Sequence, residues 1–591
     1  KQETHQEFQC ISTNQNMLKK FAPLWVFLFF CAASVLLTWP LVLSMRTSII
    51  GGMGDNIYFV WLIRWYERVI LDGQGQLFFN PMLNYPQGWD LSTTETSLAT
   101  ALAGIPVSRL FGPIAGYNFA MLLTFVLAGF FMYLWIRDLT KSEAAGILAG
   151  TLYTFCPYHF AHFLVGHLNL CGIHWFPLFF WGFSQLLRES KKWDLKFVVL
   201  TGLSLGLIGF TSMYYLYMTL LFSVLFGLIF LIVTRFRVFK QKNFWLKLVL
   251  AGMISLPFLY FSLRPFISLS SAGVLESRPI EYAASYSASP TDFFLPASDH
   301  FLFGRVVSSW FDHSLWNESS LYLGIPAIIL AVMALLSKKP DEKRGLVWSS
   351  AIVGFISLIL GLGINLHWNN EDVILKIPEG LQSFLKKEET LVYLPAAWLF
   401  NHLPFFDKMR TLMRFGFFAI FFTNVLAGLG FAQLLRRIPH KKVGLTTLFA
   451  LGLVIFDLYP GPYTANMLEP KPRAVDKWLH DQPENGAVVQ MPFQGSSDQA
   501  QVYYSLFHEK PFLGGDFNAN QPAQFEEIKP VLEQFPDAES VQLLKDLGVN
   551  YVVMDEAVYS LDEELEERLN SLGLSAMTSV EGQSVYFLPL P

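Results

Sequence analysis

Charge is what this sequence has least of. Only 15% of its 591 residues are Asp, Glu, Lys or Arg, against roughly 25% in a water-soluble chain, so most of the chain is built for a solvent other than water. Cysteine is scarce too. Cys10, Cys31, Cys156 and Cys171 form no CxxC pair and no disulfide framework, which excludes a zinc-ribbon or stapled secreted fold. Cys156 and Cys171 flank one loop, and spacing alone leaves a bridge between them open. No glycine-rich phosphate loop and no nucleophile elbow occur. A net charge of -5 and the lack of a basic stripe interleaved with aromatics argue against nucleic acid as a partner. Residues 1–20 are polar and lack the apolar core of a signal peptide. They read as a disordered N-terminal segment, with Met17 a candidate start.

What is present in excess is hydrocarbon: 53% hydrophobic residues, 56 of them Phe, and a mean hydropathy of +0.38. Apolar runs of roughly 20 residues read as spanning helices. They fall at about 22–44, 114–136, 143–158, 170–187, 195–212, 213–234, 244–265, 317–336, 345–366, 411–435 and 443–459, about eleven in all. Loop charge sets the register. With Lys19 and Lys20 cytoplasmic, the inner loops carry Arg137 and Lys141; Arg188, Lys191, Lys192 and Lys196; Arg235, Arg237, Lys240 and Lys242; Lys338, Lys339, Lys343 and Arg344; and Arg436, Arg437, Lys441 and Lys442. This satisfies the positive-inside rule. It holds only if 96–111 is an interfacial or re-entrant helix and not a span. The fold class that follows is an α-helical polytopic membrane domain, 21–459, with outer loops at 45–113, 159–169, 266–316 and 367–410. A soluble extracytoplasmic α/β domain, 460–591, follows it in a plasma or inner membrane.

The outer loops hold the chemistry. In the first, Gly51-Gly52-Met53-Gly54-Asp55-Asn56 precedes IYFVWLIRWYERVI, which reads as an interfacial helix anchored by Trp61 and Trp65. Asp55 at its start is either an N-cap or a carboxylate held for general-base or metal-ligand work. The second loop gathers His159, His162, His167 and Asn169. His159 and His162 lie one helical turn apart, but the spacing matches no zinc signature, so hydrogen bonding to a phosphate or sugar, or to backbone at the helix ends, is the better expectation. The third crowds Arg278, Glu281, Tyr282, Tyr286, Asp292, Asp299 and Arg305 together; Glu281 and Tyr282 are substrate-binding candidates. The fourth runs Pro404-Phe405-Phe406-Asp407-Lys408-Met409-Arg410 and on to Arg414. Cations on the outer face need a reason, and bidentate binding of a phosphate by Arg410 and Arg414 supplies one. An ion pair to an outer carboxylate is the alternative.

After Tyr459-Pro460-Gly461-Pro462 the composition turns ordinary. Helical stretches (PRAVDKWLHDQ, AQFEEIKPVLEQF, ESVQLLKDLG, LDEELEERLNSLG) alternate with strand-like runs (GAVVQMPF, GVNYVVMD, SVYFLPL), the pattern of a compact α/β domain.

The early Gly-Asp, the Gly-His-Leu-Asn segment at 166–169 and the late Pro-Phe-Phe-x-x-Met-Arg-x-x-x-Arg together resemble the GT-C superfamily of membrane glycosyltransferases. Relatives of the protein O-mannosyltransferases and aminoarabinose transferases, and the YfhO-like bacterial group in particular, are most similar. The resemblance implies an inverting enzyme taking sugar from a polyprenyl-phosphate donor on the extracytoplasmic face of the membrane. The acceptor would be an envelope glycan, lipid or protein. Asp55 would match the first-loop acid, as base or as ligand of a divalent metal such as Mg or Mn. This chain departs from many members in carrying Asn56 where a second acid follows. A transporter and a non-catalytic envelope assembly protein are the competing classes. A transporter is disfavoured because the ionisable residues gather at outer ends and no internal repeat is visible.

Overall fold

The computed structural model describes residues 21–188, 194–271, 273, 277–312, 315–337, 341–483, 486–493, 499–515, 517, 523–559 and 562–590. The segment 1–20 and the loop cations Lys191, Lys192, Lys338 and Lys339 lie outside the described residues. Two compact units emerge, and they do not follow a simple division along the chain. One comprises 21–42, 121–164 and 170–465; the other comprises 43–120, 165–169 and 466–591.

The first unit is a helix bundle. Among the described residues five helices are long and apolar enough to cross a membrane: Pro113–Thr140, Met213–Val233, Lys242–Ser271, Lys343–Gly361 and Leu412–Arg436. Shorter apolar helices include Phe21–Leu37, Leu195–Thr211 and Ile325–Leu336. The chain is thus a multi-pass membrane protein. Two of the expected spans are built as shorter helices. The run at 143–158 stops at Thr154, and a new helix, Pro157–Leu164, starts on a proline whose missing N–H suits a first turn. The run at 170–187 keeps only Trp175–Leu186 as its main helix. Leu412–Arg436 is the hub, 94% buried within the bundle. Its small residues let neighbours approach closely: a Cβ on Gly428 would meet Ala149 Cβ at 2.8 Å. Its phenylalanines interlock with other helices, Phe418 on Phe222 at 4.7 Å and Phe422 on Phe180 at 5.1 Å between ring centroids. That packing absorbs much of the phenylalanine excess. Lys242–Ser271, by contrast, buries only 17% of its apolar window, as a lipid-facing helix would. Cys156 and Cys171 are both buried free thiols, so the bridge that their spacing left open does not form.

The second unit has a mixed sheet at its C-terminal end, with strand order Ser575–Val580, Gln583–Phe587, Val549–Asp555, Ala487–Met491. The first two pairings are antiparallel and the last parallel. Val549–Asp555 is buried along nearly its whole length, which is why its sequence is a continuous apolar run. Helices Ala538–Asp546 and Glu563–Ser571 are N-capped by Asp537 and Asp562. In the same unit Ile49–Ile50 pairs with Met467–Leu468, tying the segment 45–113 to the C-terminal region. Residues 96–111 form a broken run, Leu98–Ala101 then Ile105–Phe111.

One expectation is overturned here. The helix Asp55–Leu71 does not present an aromatic face outward: eleven of its 17 residues are buried, with Trp61 and Trp65 only 3% and 8% exposed. Tyr58 stacks on Phe517 at 3.8 Å and Trp61 lies parallel to Trp65. An interfacial anchor needs one free face, and neighbours within the unit cover this one.

Candidate functional site

At the start of the Asp55–Leu71 helix the backbone turn is held by Asn56. Its Oδ1 accepts from the N–H groups of Gly54 and Ile57, and its Nδ2 donates to the carbonyls of Gly52 and Ile50. Only an amide can both accept and donate in this way. Gly166, at φ +82°, lies so close that a Cβ would collide with Asn56. The Gly-His-Leu-Asn segment is therefore pinned against the Gly-Asp-Asn turn. Asp55 is released from capping: the cap position is Gly54 and no side chain caps the helix. Its Oδ2 instead meets His167 Nε2 at 3.1 Å, with the two side chains 21% and 15% exposed. A carboxylate and an imidazole in contact, partly open to solvent and at a helix N-terminus, can share and deliver a proton. They also offer two of the ligands a divalent cation takes. His167, ambiguous among the histidines by sequence, is the one the fold gives to Asp55.

In the helix bundle Arg414 is 6% exposed and grips Glu318 with a two-point fork: Nε to Oε2 at 3.0 Å and Nη2 to Oε1 at 2.6 Å. His162 Nε2 stands 4.0 Å from Glu318 Oε2, and its ring meets Tyr158 edge-on at 4.2 Å. Glu318 thus supplies the carboxylate that the Arg414 guanidinium matches, the ion-pair alternative that the sequence left open. Glu318 went unnoticed in the sequence, although a lone carboxylate opening the apolar run 317–336 was its signal.

Arg410 is arranged differently. Its guanidinium sits 5.3 Å above the Tyr286 ring, while Arg278 sits 5.8 Å above Tyr282. The two tyrosines meet edge-on at 5.7 Å. Two cations lying on a shared aromatic pair form a surface suited to a phosphate. Beside it Asp407 is pushed up by burial but drawn below the ordinary carboxylate value overall by Ser277 and Lys408. Asp299, in the segment 266–316 with Arg278, is raised by burial to about 6.

The family model described as a domain of unknown function, DUF6311, matches residues 24–387. The chain belongs to the DUF6311 family. No curated protein matches it. Among solved structures, the arabinofuranosyltransferase AftD from Mycobacteria superposes with a TM-score of 0.53 at 13% identity, over 96% of this chain and 40% of that one. The Archaeoglobus fulgidus oligosaccharyltransferase complex with Zn and sulfate gives 0.51 at 16% identity, over 96% and 74%. The same enzyme tethered to an acceptor peptide gives 0.51 at 14%, over 98% and 75%. This DUF6311 chain spans about 40% of the length of the AftD chain. Its fold is that of the GT-C membrane glycosyltransferases, as the sequence resemblance implied. The match names DUF6311 and does not bear on the narrower YfhO-like grouping.

The remaining candidates of the DUF6311 chain separate by environment. His159 is wholly buried, its ring stacked on Phe125 at 3.7 Å, with Nδ1 2.8 Å from the Thr154 carbonyl and Nε2 3.0 Å from Thr124 Oγ1. Those contacts give both ring nitrogens a partner inside the protein. Asn169 is 7% exposed. Glu281 and Tyr282 lie exposed on the short helix Ile280–Ala284.

Proposed function

We propose that this protein is an inverting membrane glycosyltransferase that moves a sugar from a polyprenyl-phosphate donor to an acceptor on the extracytoplasmic face. The observation that carries the reading is the Asp55–His167 pair, brought to 3.1 Å from positions far apart in the sequence, in a chain of GT-C fold. Sugar transfer with inversion needs one base to take the acceptor proton as the acceptor oxygen attacks the anomeric carbon, and a group to stabilise the departing phosphate. Asp55 takes the proton, with His167 orienting its carboxylate and sharing the charge. Arg410, helped by Arg278 across Tyr282 and Tyr286, holds the leaving phosphate. Glu281 and Tyr282, exposed beside them, contact the donor. Where Asp55 serves instead as a metal ligand, it and His167 would hold a divalent cation such as Mg or Mn, which would supply positive charge at that site. A lipid-linked donor also accounts for a transferase that is mostly membrane helix, with its C-terminal α/β region, 460–591, soluble on the outer side.

The test is turnover of a panel of polyprenyl-phosphate sugars by protein in lipid nanodiscs, read as release of polyprenyl phosphate. Asp55→Asn is expected to reduce turnover by roughly 10²–10⁴-fold while leaving thermal unfolding unchanged. His167→Asn should reduce it less, and chelation followed by Mg or Mn addition reports on the metal. Undiminished turnover in Asp55→Asn would move the base elsewhere. An absence of turnover with every donor would favour the assembly or transport classes.

A further inference from the structure

A second concavity lies in the C-terminal part of the second unit, where Ala487–Met491 and Val549–Asp555 run parallel. Open α/β sheets bind ligands outside the carboxyl ends of parallel strands, and it is there that Gln490, Met491 and Asp555 enclose a cavity of about 140 Å³. That is space on the scale of one sugar ring. Phe493 and Phe512 form its apolar wall, and the chain turns into it through Pro492. The lining also carries planar polar groups. Gln490 Nε2 donates to Gln583 Oε1 at 2.9 Å, and Gln490 Oε1 accepts from Arg473 Nη1 at 2.9 Å. Asp555 faces Gln583 across the strand pair, and its Oδ1 accepts the Ala557 N–H at 2.9 Å. Among the described residues no hydrogen bond occupies Asp555 Oδ2 or Gln583 Nε2.

Charge decides the class of ligand. Among the described residues Arg473 is the one cation in the lining, and its guanidinium is matched by the fully buried Asp476 through Nη2 at 2.7 Å. A further Nη2 bond goes to Gln501 Oε1 at 3.3 Å, and the Tyr504 ring lies 4.3 Å away. What remains facing the cavity is amide groups and the Asp555 carboxylate, which repels phosphate and accepts hydroxyl protons. Aromatic rings together with amide and carboxylate groups complement a pyranose, with its C–H face and its rim of hydroxyls. We propose that this cavity is a binding subsite for an uncharged saccharide unit, separate from the residues assigned to transfer.

This goes beyond the transferase reading and stands without it, because binding is measured with no donor present. The experiment uses the full chain in lipid nanodiscs free of sugar-headed detergent. Saturation-transfer NMR and calorimetry are run against neutral hexose and pentose di- and trisaccharides and against a hexose phosphate. The expected result is saturable binding of a neutral saccharide, with a dissociation constant on the order of 1 mM. Gln583→Leu and Asp555→Asn should each weaken it by about 5–10-fold, the effect of losing a hydrogen bond, with unchanged thermal unfolding. Gln583→Glu, which keeps the shape and the acceptor oxygen but replaces the amide donor with a second acceptor, is expected to weaken binding likewise and serves as a second variant should the leucine perturb the sheet. No saturable binding of any neutral saccharide, equal binding by the folded variants, or tighter binding of the hexose phosphate would each overturn the proposal.

Discussion

Two charge pairs, one in each unit, are handled in opposite ways. In the bundle, Arg414 and Glu318 are sealed from solvent and spend their charge on one another. In the second unit, Asp55 and His167 touch while both stay partly exposed. Burial forces a charge to find its partner inside the protein, and a charge so matched has little left for a ligand. Only a charge left in contact with solvent keeps a vacancy for chemistry. Arg410 shows the same division within the bundle, since it rests on an aromatic face and not on a carboxylate.

That contrast can be broken most forcefully at Glu318. Glu318→Ala leaves Arg414 buried and unmatched, and should destabilise the bundle by about 3–5 kcal/mol; thermal unfolding in detergent measures this. A double change of both residues to apolar side chains should recover most of the loss. Asn56→Asp comes next. It removes the amide donors to Gly52 and Ile50 and sets a carboxylate against two carbonyls, an expected cost of about 1–3 kcal/mol. Hydrogen exchange around residues 50–58 would read it as faster opening.

A pH titration sharpens the comparison further. His508 is held down at about 3 by burial, aided by Arg473 and Lys510, and its Nδ1 accepts the Lys510 N–H. The unfolded chain takes up a proton below the ordinary value of 6.5 while the folded one does not. The stability it contributes is therefore present above pH 6.5 and lost as pH falls towards 3, by at most about 1.4 kcal/mol per unit. Asp299 acts with the opposite sign. Raised to about 6, it contributes stability below its ordinary value of 3.8 that is lost as pH rises through 6. Acidification from 6.5 to 5 should thus loosen the region around 500–510 and tighten the segment around 299, and His508→Gln should flatten the first response alone. The smallest expected stability effect is that of Arg410→Gln, within about 0.5 kcal/mol, paired with a fall in donor turnover.

How far the sequence announced this depends on what each feature rests on. Periodicity and composition are local properties, so the long apolar helices and the strands at 487–491, 549–555 and 583–587 were legible. The exposed strand Ser575–Val580 lacks an apolar alternation and was not. Partnerships are long-range. Glu318 with Arg414, and His167 in preference to His159, needed the fold to choose between chemically equal candidates. Trp61 and Trp65 misled because an aromatic helix rimmed by arginines looks alike whether a membrane surface or a protein neighbour covers it. Asn56, apparently a lost acid, is an amide that the turn requires.

The centrality of Leu412–Arg436 has a consequence for how the protein is made. The helix that fills the middle of the bundle is synthesised after the other four long apolar helices among the described residues, and its Gly428 packs on Ala149. At roughly 5–20 residues per second, the early helices wait on the order of tens of seconds with their inner faces unfilled. Until then they need lipid or insertion machinery as a temporary neighbour. A chain halted before Leu412 should stay protease-sensitive throughout its first unit, however complete its individual helices.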